Sequence, residues 1–525
     1  MPNVIKCIGF HRFYDLFLSS KPTTYEFNPV LNGKTNQRSS MKKITLFATL
    51  LLMGLSFQSN ARNGYKIHLK IPDVKDSMVF LAHYYGKPLP TIYKRDSARF
   101  DKNGNAEFYT TDSTFVGGIY MMLLSDKKTY FEFLLNSNDD MTITANVSKL
   151  PEGIKFKNSP ENERFQGYVE FLKTYSQGQE ALKKELENAK TLEDSSAIRK
   201  KAGKTAKDLT NYRHDYVAKY PGSLLANIFN ALEVPQIPEG DHFLEDGKTK
   251  DSTFAYKYYK AHFWDGFNYQ DDRLIHTPIL DAKLEEYMNK LVLPWPDSVE
   301  HESDVLLKKA RGTKDLFKYT LWWLTRNVEN SKVMGMDEAF VYLVENYYMK
   351  GEAFWLTNEE LSKYQDRAMK IAPNVIGNVA PEVKLPNVIT KKEESMQAIK
   401  SPYTLLVFYS PDCGHCQHEI PALDTVYETS LKAKGVKIMT VATEGDEKKI
   451  TDFITKHKLE KWINTWDNEH VGDWRGKYDV YSTPTIYLMD EKKLIRGKRL
   501  DHTNILSVIE MQERKAKDKA KNSKK

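Results

Sequence analysis

Cys413-Gly414-His415-Cys416 is the stretch of this 525-residue sequence whose residue types and spacing can do chemistry. Two cysteines three positions apart at the opening of a helix can close a small-ring disulfide and open it again. A helix amino terminus presents unpaired N–H groups and the positive end of the peptide dipoles, and both stabilise a thiolate. Cys413 is therefore expected to have a lowered pKa and to be the attacking sulfur. Cys416, one turn further in, is expected to be more buried and to resolve the mixed disulfide that the first attack creates. Three other uses of the spacing compete with this one. A zinc site needs two further ligands, which histidines would have to supply, because Cys7 is the one remaining cysteine and lies at the far end of the chain. Haem attachment needs histidine directly after the second cysteine, where Gln417 stands. A purely structural disulfide closing so short a loop would constrain the unfolded chain little. No metal and no cofactor is expected.

The elements around the dithiol follow from hydrophobic patterning. Apolar runs predict strands at Leu405–Tyr409, Val436–Val441, Thr485–Met489 and Leu494–Gly497. Helices are predicted at about 414–433 and 447–457, with a last one from about Thr503. Pro421 falls inside the first of these helices and should kink it. Tyr481-Ser482-Thr483-Pro484-Thr485 leads into the third strand.

A strand, Cys-x-x-Cys at a helix start, a kinking proline and a Thr-Pro before a strand together resemble thioredoxin, most closely the TlpA-type branch of bacterial envelope proteins. The resemblance covers about residues 374–515. It implies an α/β thioredoxin fold and thiol–disulfide exchange, with Pro484 cis and facing the dithiol and with Thr483 and Pro484 pairing to the substrate chain. The sequence departs from the family's pattern at two places. Val407 stands where classical thioredoxins carry a buried acid, and Asp412 stands where they carry tryptophan. Glu419 occupies the position of an acid found in the TlpA-type branch, and its i,i+3 spacing puts it on the face of Cys416, where it could carry that thiol's proton. An exposed helix carboxylate is the competing reading. His415, between the cysteines, is expected to favour the thiolate and tune the couple.

The remainder of the chain reads as modules that carry no catalytic cluster. Residues 63–150 alternate apolar and polar side chains, as in Tyr65–Ile71, and predict a small antiparallel sandwich or barrel. Asn103-Gly104 predicts a hairpin between 98–100 and 106–108. Ser159-Pro160-Glu161 is a helix start, and helical spacing runs from there to about 371, so residues 159–371 are expected to be an all-α middle domain. Within it, 177–210 is expected to form a solvated helical hairpin, and His262, His276 and His301 are read as structural. These modules loosely resemble those that precede thioredoxin-like domains in bacterial envelope proteins. The fold class is thus multidomain: antiparallel β, then all-α, then α/β, with a frayed basic tail at 516–525.

Residues 41–61 combine Lys42-Lys43, an apolar run of 14 residues from Ile44 to Phe57 and the small residues Ser59 and Ala61. This is the pattern of a cleaved secretory signal, and the run is short of the ~20 residues that span a bilayer. No cysteine stands at the cleavage point, so a lipid anchor is not expected. Residues 1–40 are then read as a start codon placed too far upstream, and the mature chain as beginning near Arg62, without Cys7, in the periplasm or outside the cell. The net charge is +7, but residues 1–61 hold seven basic and two acidic side chains, so the body is near neutral. That argues against nucleic acid as a partner, since phosphate binding needs a concentrated basic face. Expected partners are protein thiols and disulfides of the envelope and a separate redox partner. The competing hypothesis is an envelope docking protein whose dithiol is a regulatory or vestigial switch.

Overall fold

The computed structural model describes residues 64–150, 152–469 and 472–522, so Cys7 and the signal pattern at 41–61 lie outside the described residues. The chain divides into two compact units. The first takes residues up to 291 together with 309–319, and the second takes 292–308 and 320 onward. Both units therefore draw on the helical stretch.

The first unit opens with strands β1 (Tyr65–Lys70), β2 (Met78–His83), β3 (Tyr93–Arg99), β4 (Asn105–Thr110), β5 (Gly118–Leu124), β6 (Tyr130–Leu135), β7 (Asp139–Thr144) and β8 (Lys155–Lys157). They form two four-stranded sheets, ordered β4-β1-β7-β8 and β3-β2-β5-β6. Alternation sends Ile67, Leu69, Val79, Leu81, Phe131 and Phe133 into a shared core. Two details differ from the sequence expectation. β1 and β7 run parallel, while the other pairs are antiparallel. The turn at Asn103-Gly104 exists, but the strands on either side of it join different sheets. Asp101 accepts from the amides of Asn103 and Asn105 at 2.8 Å and bends the chain, and each strand then finds its ladder elsewhere. Gly104 has φ +76°, and a Cβ there would lie 2.2 Å from the Ile71 carbonyl oxygen.

Helices α1 (Pro160–Asn188) and α2 (Leu192–Lys219) form the expected hairpin, with Thr191 accepting from the amide of Asp194 at 3.0 Å. The helix start at Ser159 is present, but its hydroxyl accepts from the side chain of Asn162 rather than from a backbone amide. Then come α3 (Leu224–Ala231), α4 (Phe254–His262) and α5 (Leu280–Glu286). His276 is buried in this unit. Its Nδ1 lies 3.0 Å from the carbonyl oxygens of Val116 and Gly117, and its ring is 4.1 Å from that of His83. Helices α6 (Pro296–Ala310) and α7 (Asp315–Glu329) have residues in both units.

The second unit adds α8 (Asp337–Leu343) and α9 (Asn358–Ile371) to an α/β domain. Thr357 and Glu360 start α9 with a reciprocal capping box. A short ribbon, β9 (Lys384–Pro386) with β10 (Glu393–Ser395), precedes a five-stranded mixed sheet. Its strands are β11 (Tyr403–Tyr409), β12 (Val436–Ala442), β13 (Ile463–Trp466), β14 (Thr485–Asp490) and β15 (Ile495–Lys498), in the order β13-β12-β11-β14-β15. Four of these strands match the expected ones, and β13 is additional. Its four residues, Ile-Asn-Thr-Trp, are too few to show a period. The helices are α10 (Gly414–Val426), α11 (Glu447–His457), α12 (Trp474–Tyr478) and α13 (Ile505–Asn522). The basic tail is expected to fray over 516–525, yet α13 runs on to Asn522. Glutamine, glutamate, lysine and alanine are strong helix formers, and Glu513 pairs with Lys434 at 2.9 Å.

The sheet is covered on both faces. Leu405, Val407 and Tyr409 pack with Cys416, Ile420 and Leu423 of α10, while Leu406 and Phe408 pack with Trp474, Tyr478 and Val480 on the other side.

Candidate active site

The register of the sheet places the site. β11 pairs antiparallel with β14, and Phe408 sits opposite Thr485. The chain leaving β11 and the chain entering β14 therefore meet at one end of these two interior strands. The first carries Ser410 to Cys416, and the second carries Tyr481 to Pro484. The Thr483-Pro484 bond is cis, as the resemblance implied. The Cys413 thiol donates to the Thr483 carbonyl oxygen at 3.1 Å.

Cys413 is the residue on which α10 begins, with extended backbone at φ −80° and ψ 118°. Its amide donates to the Ser410 carbonyl at 3.2 Å, and the Gln417 amide returns to the Cys413 carbonyl at 3.1 Å. Gln417 also ties its side chain to the Pro411 carbonyl at 2.6 Å, closing the turn from below. Pro421 lies inside the helix, as expected.

Both cysteines are free thiols. Their surroundings push them in opposite directions. For Cys413, burial raises the pKa, but hydrogen bonds from the Thr483 side chain and from the Cys416 and His415 amides outweigh it, and the net shift is downward. The Thr483 carbonyl on its own favours the protonated thiol, so the lowering comes from the donors. Cys416 is fully buried, and burial pushes its thiol up to about 12 despite a stabilising bond from the Ser410 backbone. The partly exposed sulfur is the better thiolate, and the hidden one holds its proton.

The other expected residues fall around this pair. His415 is exposed in the first turn of α10. Glu419 is half-buried, and both its oxygens are engaged by His502. One accepts from the His502 amide at 2.5 Å and the other lies 2.8 Å from its Nδ1. Val407 is fully buried among apolar neighbours, so no acid replaces the missing one on that strand position.

Sequence reasoning missed three features. Asp412, beside Cys413, is paired with Lys449 at 2.8 Å, which offsets its repulsion of a thiolate. The Tyr409 hydroxyl is buried with no hydrogen-bond partner among the described residues, and burial, followed by the charge of a Cys416 thiolate, raises its pKa. Asp479, whose carboxylate is fully buried, receives Arg367 and Arg499. These pairs join residues 20 to 112 positions apart, and no local pattern announces them.

Comparison with known proteins agrees with this geometry. Residues 376–498 match the AhpC/TSA family. They form a thioredoxin-like domain. Residues 65–165 and 195–374 match two further families, each described as a domain of unknown function (DUF4369 and DUF5106). The chain is 29% identical over 92 residues to a thioredoxin-like protein of Haemophilus influenzae, covering 17% of this chain and 50% of that protein. It is 27% identical over 152 residues to the thioredoxin-like protein YneN of Bacillus subtilis, covering 29% of this chain and 85% of the relative. It is 24% identical over 117 residues to the thiol-disulfide oxidoreductase ResA of Oceanobacillus iheyensis, covering 22% and 59%. The matched region thus spans about half the length of the Haemophilus relative and most of the Bacillus one. Among the described residues, no helix is long and apolar enough to cross a membrane, and no group of three or more His, Cys, Asp or Glu side chains could hold a metal ion.

Proposed function

We propose that this chain is a thiol–disulfide oxidoreductase of the cell envelope, exchanging disulfides with proteins through Cys413 and Cys416. The observation that carries the reading is the opposed setting of the two sulfurs: one lowered in pKa at a helix start against Thr483, the other buried one turn behind and raised. In the reducing direction the Cys413 thiolate attacks one sulfur of a substrate disulfide. An S–S bond forms to Cys413, and the first substrate sulfur leaves as a thiolate. Cys416 then gives up its proton and attacks Cys413, so a Cys413–Cys416 bond forms and the second substrate sulfur departs. Two electrons pass to the substrate, and the Cys416 proton ends on a departing thiolate. The oxidising direction is the same sequence reversed. Thr483 and Pro484 are placed to receive the substrate backbone. His415 tunes the couple, and Glu419 relays the Cys416 proton by way of a side-chain movement away from His502.

The envelope location rests on the signal pattern at 41–61. The family name of the Oceanobacillus relative supports the reaction class. Insulin reduction and glutathione exchange by the purified chain test the activity. The Cys416→Ala variant, expressed in the native envelope, should hold substrates on Cys413 as mixed disulfides. A chain that exchanges with neither insulin nor glutathione would overturn the reading. Amino-terminal sequencing of the native protein should find a start near Arg62, and an intact 1–40 segment would remove the processing argument.

A further inference from the structure

The chain between α12 and β14 is held from outside the thioredoxin-like domain. Asp479 follows α12 in the left-handed region, at φ +52°, and its carboxylate is fully buried. One oxygen is bound by Arg367, from α9, and the other by Arg499 at 2.9 Å. The Arg367 guanidinium also lies 5.0 Å from the ring centre of Tyr481. Tyr481 is 67% exposed, an unusual position for a large ring, and it stands two residues before Thr483, whose carbonyl receives the Cys413 thiol. A second tie lies at the far end of the same segment. Tyr487 donates to the Tyr478 carbonyl at 2.5 Å, and Asn374, just after α9, accepts from Tyr487 at 3.4 Å and from Lys498 at 2.5 Å.

We infer that Arg367 is a positioning residue for thiol–disulfide exchange: it fixes the 479–483 loop and presents the Tyr481 ring as a docking platform for the polypeptide flanking a substrate disulfide. The inference rests on the proposed activity and adds a substrate class. A flat exposed ring backed by a guanidinium fits an extended polypeptide carrying an apolar or aromatic side chain near its cysteine. A small disulfide such as oxidised glutathione gains little from it. Arg367 belongs to the segment that matches the DUF5106 family, so the preceding module contributes directly to selection at the dithiol.

The test compares KM and kcat for insulin with those for oxidised glutathione in the full chain and in Tyr481→Ala, Arg367→Lys and Arg367→Gln. The contact of one aromatic or apolar substrate side chain with an exposed ring is worth enough to change binding about threefold. Tyr481→Ala should therefore lower the preference for insulin over glutathione by about that factor, through KM rather than kcat. Arg367→Gln should do the same and speed backbone amide exchange across 480–483, and Arg367→Lys should recover part of both. Because Tyr481 is exposed, its alanine variant folds even if loss of Arg367 weakens the Asp479 site. A wild-type preference in Tyr481→Ala, or equal losses for both substrates, overturns the inference while leaving the oxidoreductase reading standing. Failure of the unmodified chain to exchange with either substrate overturns that reading, and this one with it.

Discussion

A histidine pair in the first unit and the cysteine pair in the second bring like titratable side chains together, and their settings differ in kind. The ring centres of His83 and His276 lie 4.1 Å apart in the first unit, the planes tilted by 48°. Burial lowers the pKa of both, that of His276 to about 3, and each Nδ1 is committed to backbone carbonyls. The two act alike: both are neutral at neutral pH and neither is poised to give or take a proton. Cys413 and Cys416 in the second unit are pushed apart, one down and one up. Burial alone yields a silent pair. A division of labour needs one member at a source of hydrogen-bond donors, here the start of α10, and the other withdrawn from it.

The comparison can be broken most severely at the sulfurs. Cys413→Ser should abolish exchange, whereas Cys416→Ala should retain the first attack and accumulate mixed disulfide, read by non-reducing gels and mass spectrometry. If both variants behaved alike, the asymmetry between the cysteines would be meaningless.

The next effect concerns order of reaction. In reduced protein Cys413 should alkylate before Cys416, with a pH midpoint below the ~8.5 of a free thiol. Cys416 should stay unreactive to well above pH 10, given its value near 12. Faster labelling of Cys416, followed by peptide mapping, would reverse the assignment.

For these histidines the sign is opposite to that of a salt-bridged histidine, whose folded pKa is raised. His276 has a folded pKa below its unfolded value, so its neutral form is required by the fold. Its contribution is complete above pH 6.5 and is lost as the pH falls from there toward about 3. Urea unfolding should therefore show the first unit losing about 2 kcal/mol between roughly pH 6.5 and pH 5. His276→Asn should flatten that slope, and an unchanged slope would show that another group carries it.

Smaller effects test the tuning of the dithiol. His415→Pro should move the potential, measured against glutathione, more negative by about 30 mV, with the wild type lying between thioredoxin and the most oxidising members of the fold. Lys449→Glu should raise the alkylation midpoint of Cys413 by only a few tenths of a unit, because the Lys449–Asp412 pair is exposed and screened.

What could be read from the sequence was local. The strand before the dithiol, the helix after it, the proline inside that helix and the Thr-Pro each occupy a few adjacent residues, and the structure has all of them. The burial of Cys416 behind a more open Cys413 was legible for the same reason, since position in a helix start is a matter of sequence neighbours. Features requiring distant residues were not legible. Glu419 could be placed on the face of Cys416 from its spacing, but its engagement by His502, 83 positions away, could not. Lys449 beside Asp412 and Arg367 beside Asp479 are of the same kind. Asn103-Gly104 shows the limit from the other side: the turn was correct, yet the sheets claimed its two strands separately, and only the global arrangement of ladders decides that.

The buried ammonium of Lys498 gives the seam between modules a consequence for recombination. Family similarity would cut this protein at residue 376, just after Asn374. Lys498 is only 3% exposed, and its partners, Asp337 and Asn374, both lie on the other side of that cut. Asp479 would likewise lose Arg367 and keep Arg499. A gene fusion made at the point of similarity would inherit an interior cation stripped of its counter-charge, a defect worth about 3 kcal/mol or more. The unit able to move intact between proteins is therefore longer than the recognisable one: it must carry α8 and α9 as part of its own inheritance.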